Sequence, residues 1–237
     1  MGSKFGIDAR LTDLNTKMIE MGSKLEEAIN KSVKALLKYD EAVADEAIKL
    51  EKRIDKKEDE IVNFCYKIML EQSPVASDLR KVQAAIKMAS DMERIGDQAR
   101  DISELTKYLA EEKFDKQKEL FTEMANETKK MVSTAIDAYV KQDLSIASAV
   151  IENDDVVDDI FTRIKEQICE LIETDKTITR LALDCLLIAK YFERIGDHAT
   201  NIGELVIYSV KGTSTKKEIQ ELAKEIAEDL EEVRAKQ

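Results

Sequence analysis

An all-α protein, built as two tandem three-helix bundles with a charged helical extension behind them, is the fold this sequence predicts. Three observations predict it. One proline, seven glycines and no tryptophan stand against 36% charged residues, so helix formers dominate and the punctuation that sheets need is scarce. Apolar residues recur at alternating steps of four and three over long stretches. A string in the first half also reappears one hundred positions later. With 237 residues, 43% of them apolar, the chain has enough core to fold without disulfide or metal staples.

The first helix is marked from Ile7 by the seam Ile7, Leu11, Leu14, Met18, Met21, Leu25, Ala28, Ser32, Ala35, Tyr39. A second carries Val43, Ala47, Leu50, Ile54, Ile61, Phe64 and Ile68 and stops at Ser73-Pro74, the one proline, because the residue before proline is pushed out of the helical region. The third starts at the capping pair Ser77-Asp78 and carries Met88, Met92, Ile95, Ala99, Ile102 and Leu109. After a polar stretch over 111–117 the pattern restarts, with helices expected over 117–141, 143–173 and 177–210. The units are therefore 7–112 and 113–212. A further charged helical pattern through Ile219, Leu222, Ile226 and Leu230 occupies 213–237.

The repeat reads letter by letter. Glu93-Arg-Ile-Gly-Asp97-Gln-Ala-Arg-Asp101-Ile-Ser-Glu104-Leu-Thr-Lys-Tyr108 matches Glu193-Arg-Ile-Gly-Asp197-His-Ala-Thr-Asn201-Ile-Gly-Glu204-Leu-Val-Ile-Tyr208. Identity at so many non-core positions points to duplication rather than to shared amphipathicity.

A formal charge of -12 repels nucleic acid and anionic lipid and invites cations or basic partners. Cys65, Cys169 and Cys185 are odd in number and far apart, and read as reduced core residues. No apolar run reaches membrane-spanning length and the start lacks a signal-peptide pattern, so a cytoplasmic protein without membrane insertion is expected. Glycine-rich phosphate loops, Gly-x-Ser-x-Gly elbows and Cys-x-x-Cys pairs are absent, which leaves no nucleotide-binding or nucleophilic site.

The chemistry lies in the carboxylates. Glu93, Asp97 and Asp101 stand four residues apart and stack oxygens along one helical face; Glu193, Asp197 and Asn201 do the same in the second unit. The second helix offers Glu51 and Asp55, with Glu58 one turn on, and the fifth offers Asp154 and Asp158. Most fall one position past a seam residue, which puts them on the shoulder of the bundle. An isolated Glu-x-x-x-Asp is usually a solvated face, but four pairs at equivalent positions of a duplication favour a bound cation. Oxygen donors without thiolate or imidazole suit magnesium, calcium, manganese or iron better than a structural zinc site. The competing reading makes the acids salt-bridge partners of Arg94, Arg100 or lysines on a facing helix. Gly96 and Gly196 each cost about 1 kcal/mol against alanine in a helix interior, and their bare backbone would admit a ligand or a neighbouring helix.

His198 is the sole histidine, which excludes histidine-rich metal centres; it reads as an exposed residue or a peripheral ligand. Arg10, Lys17, Lys24, Lys31 and Lys38 repeat every seven residues along the first helix. That basic stripe is a solvated outer face or, at Lys17, Lys24 and Lys31, a docking surface for an acidic partner.

Through Gln72-Ser-Pro-Val-Ala-Ser-Asp-Leu-Arg80, Met92-Glu-Arg-Ile-Gly-Asp97 and Phe192-Glu-Arg-Ile-Gly-Asp-His-Ala-Thr-Asn-Ile202, the chain resembles the PhoU family from about residue 7 to 210. The resemblance implies two three-helix bundles, multinuclear metal sites on Glu/Asp-x-x-x-Asp motifs, and no catalytic activity. It further implies a negative regulator that links a phosphate ABC transporter ATPase to a sensor histidine kinase, peripheral to the inner membrane through those partners, with a homodimer as the expected state. The ligands it carries over are Glu51, Asp55, Glu93, Asp97 and Asp101 in one bundle and Asp154, Asp158, Glu193, Asp197 and Asn201 in the other, for iron, manganese, magnesium or zinc. Gln98, where the family often has the histidine seen at 198, and Asn201 opposite Asp101 depart from the pattern, and Asn201 lowers the negative charge of the second site. Two other classes compete with the adaptor: a carboxylate-bridged di-iron oxidase, whose inward Glu-x-x-His pairs this chain lacks, and a purely structural helical spacer.

Overall fold

A computed structural model describes residues 4–109, 118–212 and 216–235, and among them every regular element is helical. The helices are α1 (Lys4–Lys38), α2 (Glu41–Gln72), α3 (Ser77–Leu109), α4 (Lys118–Lys141), α5 (Leu144–Glu152), α6 (Asp154–Thr174), α7 (Thr179–Lys211) and α8 (Lys216–Ala235), with a 3₁₀ turn at Lys176–Ile178 before α7. The stretch 111–117 and the boundary between 112 and 113 lie outside the described residues.

Local chemistry sets the element ends. Tyr39 turns the chain at φ 53°, and Asp40 then caps α2 by accepting from the backbone N–H of Val43 at 3.1 Å. Ser73, in the left-handed region at φ 46°, closes α2 where Pro74 forbids continuation. The expected helix over 143–173 is instead two, α5 and α6, divided by a turn at Asn153, whose φ of -73° and ψ of -8° stay in the right-handed region. Its side chain makes no capping hydrogen bond there and donates instead to Glu127 Oε2 at 3.4 Å. The helix restarts from the Asn153 carbonyl, which accepts from Val156 and Val157, and its first turn begins with Asp154 and Asp155, where negative charge suits the helix N-terminus.

α1, α2 and α3 pack on one another as the first bundle, and α4, α5 and α6 gather around α7 as the second. The halves are fused where α3 runs against α7 and α1 meets α4. One continuous apolar core, from Leu14, Met21 and Leu25 through Ile54, Met88 and Ile95 to Ile164, Phe192 and Ile202, runs through both. At the α1–α4 contact the Tyr139 hydroxyl donates to Asn15 Oδ1 at 2.7 Å, and a Cβ on Gly22 would lie 3.0 Å from the Ile136 side chain. The extension is no free tail: α8 lays Ile219 and Ala223 into the core beside α5, and the Ser148 hydroxyl donates to the Ala223 carbonyl.

Cys65 and Cys185 are core residues, and burial pushes both thiols up to about 12. Cys169 is a correction to the expected pattern: it lies on the exposed face of α6, because only the register Val157, Ile160, Ile164, Ile168 turns inward. Among the described residues no helix is long and apolar enough to cross a membrane.

Candidate functional site

The seam residues next to the acids are buried: Leu50, Ile54, Met92 and Val157 are each at most 4% exposed. Their neighbours are thereby fixed on the bundle shoulders, Glu51, Asp55 and Glu93 half-buried and Asp158 exposed. In the first cluster Glu51 and Asp55 on α2 face Glu93 and Asp97 on α3, and Glu58 adjoins them. Burial, then the neighbouring carboxylates, push Asp55, Glu58 and Glu93 above the ordinary carboxylate range. One oxygen of Asp55 is buried without a hydrogen-bond partner.

Arg100 sits inside this cluster. Its Nη1 donates to Glu51 Oε1 at 2.6 Å and to Asp97 Oδ1 at 2.8 Å, while its Nη2 donates to Asp101 Oδ1 at 2.8 Å. Burial opposes its charge, yet the hydrogen bonds to Asp101 and Glu51 hold the guanidinium above its ordinary value. Arg94 lies further out, 3.4 Å from both Glu93 and Asp97. The salt-bridge reading of the first cluster is therefore realised by Arg100 above all.

The second cluster sets Asp154 and Asp158 on α6 against Glu193 and Asp197 on α7. Burial, followed by Asp158 and Asp197, pushes Asp154 up to about 6. Asp158 is raised by burial and then by Glu193. Lys190 pairs with one oxygen of Glu193 and stands 5.5 Å from the Phe161 ring, while the other Glu193 oxygen is buried without a partner. Among the described residues no three Asp, Glu, His or Cys side chains are grouped so as to hold a metal ion as they stand. The all-oxygen donors of the second cluster, four carboxylates against one lysine, fit a hard cation, with side-chain rotation needed to close on it. The first cluster offers the same donors, but with a guanidinium already among them.

Asn201 leaves the second cluster. Its Nδ2 donates to Asp91 Oδ1 on α3 at 3.2 Å, and His198 Nδ1 meets the same oxygen at 2.9 Å. Both side chains serve the junction between the halves, and His198 is half-buried rather than exposed. Asp91 was not among the sequence candidates; nothing in its spacing distinguishes it. The basic stripe is also redirected. Lys31 pairs with Glu46 on α2 at 2.6 Å, Arg10 with Glu71 at 2.9 Å, and Lys17 lies 5.4 Å from the Phe64 ring, while Lys24 is half-buried beside them. Arg10, Lys17 and Lys31 thus reach side chains of α2 along the α1–α2 seam, while Lys38 is exposed.

Fold and site together define an α-helical repeat protein that presents paired acidic shoulders at its surface. The PhoU domain matches twice, over residues 18–106 and 121–206, and the chain belongs to the PhoU family. It is 37% identical over 207 residues to a Clostridium acetobutylicum protein named phosphate-specific transport system accessory protein PhoU homolog, covering 86% of this chain and 94% of that one. A Thermotoga maritima homolog of the same description is 33% identical, covering 88% and 90% of the two chains. The crystal structure of PhoU from Pseudomonas aeruginosa superposes with a TM-score of 0.84 at 31% identity, covering 87% of this chain and 99% of that one.

Proposed function

We propose that this protein is a regulatory adaptor of phosphate uptake, coupling a phosphate transporter to a sensor kinase on the cytoplasmic face of the inner membrane, with metal ions held on its acidic shoulders. The observation that carries the reading is likeness along both repeats to proteins named as accessories of a phosphate-specific transport system. Asp154, Asp158, Glu193 and Asp197 would hold the ion of the second cluster. A bound cation there would supply charge compensation to carboxylates that otherwise repel one another. The residues themselves do the remaining work: buried Val157 and Ile160 fix the face of α6, and Lys190 holds Glu193 from the flank. The oxidase reading draws no support from this arrangement, because the acids sit on shoulders rather than in the bundle interior and the one histidine is committed to Asp91.

Deleting the gene tests the adaptor. The phosphate regulon should then be expressed even when phosphate is plentiful, and a reporter that stays repressed in the deletion strain would count decisively against the proposal.

A further inference from the structure

In the repeat, Arg100 of α3 corresponds to Thr200 of α7. The substitution changes what lies at the heart of each cluster. A guanidinium is a planar fork of five donors matched to carboxylate oxygens. Arg100 spends that fork on Glu51 from the facing helix and on Asp97 and Asp101 from its own, with 28% of its side chain exposed. It thus ties together the acids that an incoming metal ion would have to gather. In the second unit Thr200, 8% exposed, brings no charge to the corresponding place beside Asp154. The cation paired there, Lys190, reaches one oxygen of Glu193 from the preceding turn of α7 and leaves the other buried without a partner.

We propose that Arg100 is the resident cation of the first cluster and closes it to metal ions. The inference rests on the reading of these shoulders as metal sites, and it makes the two repeats chemically unequal despite their common motif. An ion entering the first cluster must displace hydrogen bonds to three carboxylates and meet a fixed positive charge at the same oxygens; an ion entering the second meets only Lys190, which holds one oxygen of Glu193 from the flank.

The test is manganese uptake by the full chain, stripped with chelator and then followed by equilibrium dialysis and metal analysis, with circular dichroism melts in chelator to establish folding. Arg100→Gln should take up more manganese per chain than wild type, and adding Asp97→Asn should abolish the increment. Arg100→Lys, which keeps the charge, should stay at the wild-type level. If the glutamine variant does not fold, Arg100→Thr, the side chain used at the equivalent position of the second unit, replaces it. In the wild-type background Asp97→Asn should leave uptake unchanged, whereas Asp197→Asn should lower it. Two results overturn the proposal: an Arg100→Gln protein that binds no more manganese than wild type, or a wild-type chain that binds manganese and loses as much of it on Asp97→Asn as on Asp197→Asn. A wild-type chain that binds none, beside an Arg100→Gln protein that does, upholds the role of Arg100 and removes the metal reading of the second cluster.

Discussion

The two mid-helix glycines are identical in motif and unlike in function. A Cβ on Gly96 would lie 3.1 and 3.2 Å from the terminal carbons of Ile54, a fully buried β-branched side chain with little freedom to give way. On Gly196 it would meet Val157 at an ordinary 3.5 Å. Gly96→Ala should therefore lower stability by about 1 kcal/mol, overpacking outweighing the gain in helix propensity, while Gly196→Ala should be neutral or raise it by up to about 1 kcal/mol. Denaturant unfolding of the two variants checks the opposite signs. Asp154 gives a second residue-scale prediction. Its carboxyl is raised to about 6 from 3.8, so the folded protein binds more protons than the unfolded chain between those values and loses stability as pH rises through them. In chelator, Asp154→Asn should remove that loss, amounting to about 1 kcal/mol once solvent screening of a half-exposed group is allowed for. Parallel pH profiles of melting temperature would refute this if the wild-type and variant curves ran together from pH 4 to 7.

Among the elements, α5 is the most dependent on its ends. Nine residues are too few to form a stable helix alone, so the cap and the packing on α7 and α8 hold it. Asp143 accepts from the backbone of Ser145 at 2.8 Å and of Ile146 at 3.3 Å, and also from the Ser145 hydroxyl at 2.6 Å. Those bonds hold its carboxyl below the ordinary range. Asp143→Ala should cost about 1 kcal/mol near neutral pH. Because the folded value is lowered, the cap's contribution is present above the unfolded value of about 3.9 and is lost as pH falls through the folded one. The gap between wild type and variant should accordingly narrow in acid, and a gap that stays constant down to pH 2 would show that the carboxylate charge contributes nothing. The break at Asn153 matters at this scale too, since it sets Asp154 on the first turn of α6, facing Asp197.

For the whole molecule, the single core through both bundles predicts one cooperative transition. Calorimetry should give one peak with matching calorimetric and van't Hoff enthalpies, and two resolved peaks would mean that the α1–α4 and α3–α7 contacts do not couple the halves. Metal binding should act on that transition by mass action. At about a hundredfold excess over its dissociation constant an ion bound to the native state adds about 2.7 kcal/mol. Glu193→Gln with Asp197→Asn should lose this gain, and in chelator should match or exceed wild type because repulsion between acids has been relieved. A wild-type melt indifferent to iron, manganese and magnesium, beside a destabilised variant, would return these acids to a structural role.

The sequence by itself determined the helices apart from the break at Asn153, the duplication and the family, because each is written in local spacing: seams at steps of three and four, a proline stop at Ser73-Pro74, and one motif repeated at an offset of one hundred. It also placed the acids on the shoulder, since a residue one step past a buried seam position can lie nowhere else on a straight helix. Tertiary structure decided which partner each of them meets. Whether Arg100 points outward or among Glu51, Asp97 and Asp101 depends on where α2 lies relative to α3, and its difference from Thr200 was visible in the sequence without its consequence. Asn201 shares the spacing of a ligand, yet α3 brings Asp91 within 3.2 Å and claims it for the junction between the halves. The basic stripe keeps its seven-residue period, but the packing of α2 alongside α1 turns a surface pattern into an interhelical seam. Periodicity fixes direction around one helix axis, whereas pairing depends on the rotation and approach of two axes, which no single segment encodes.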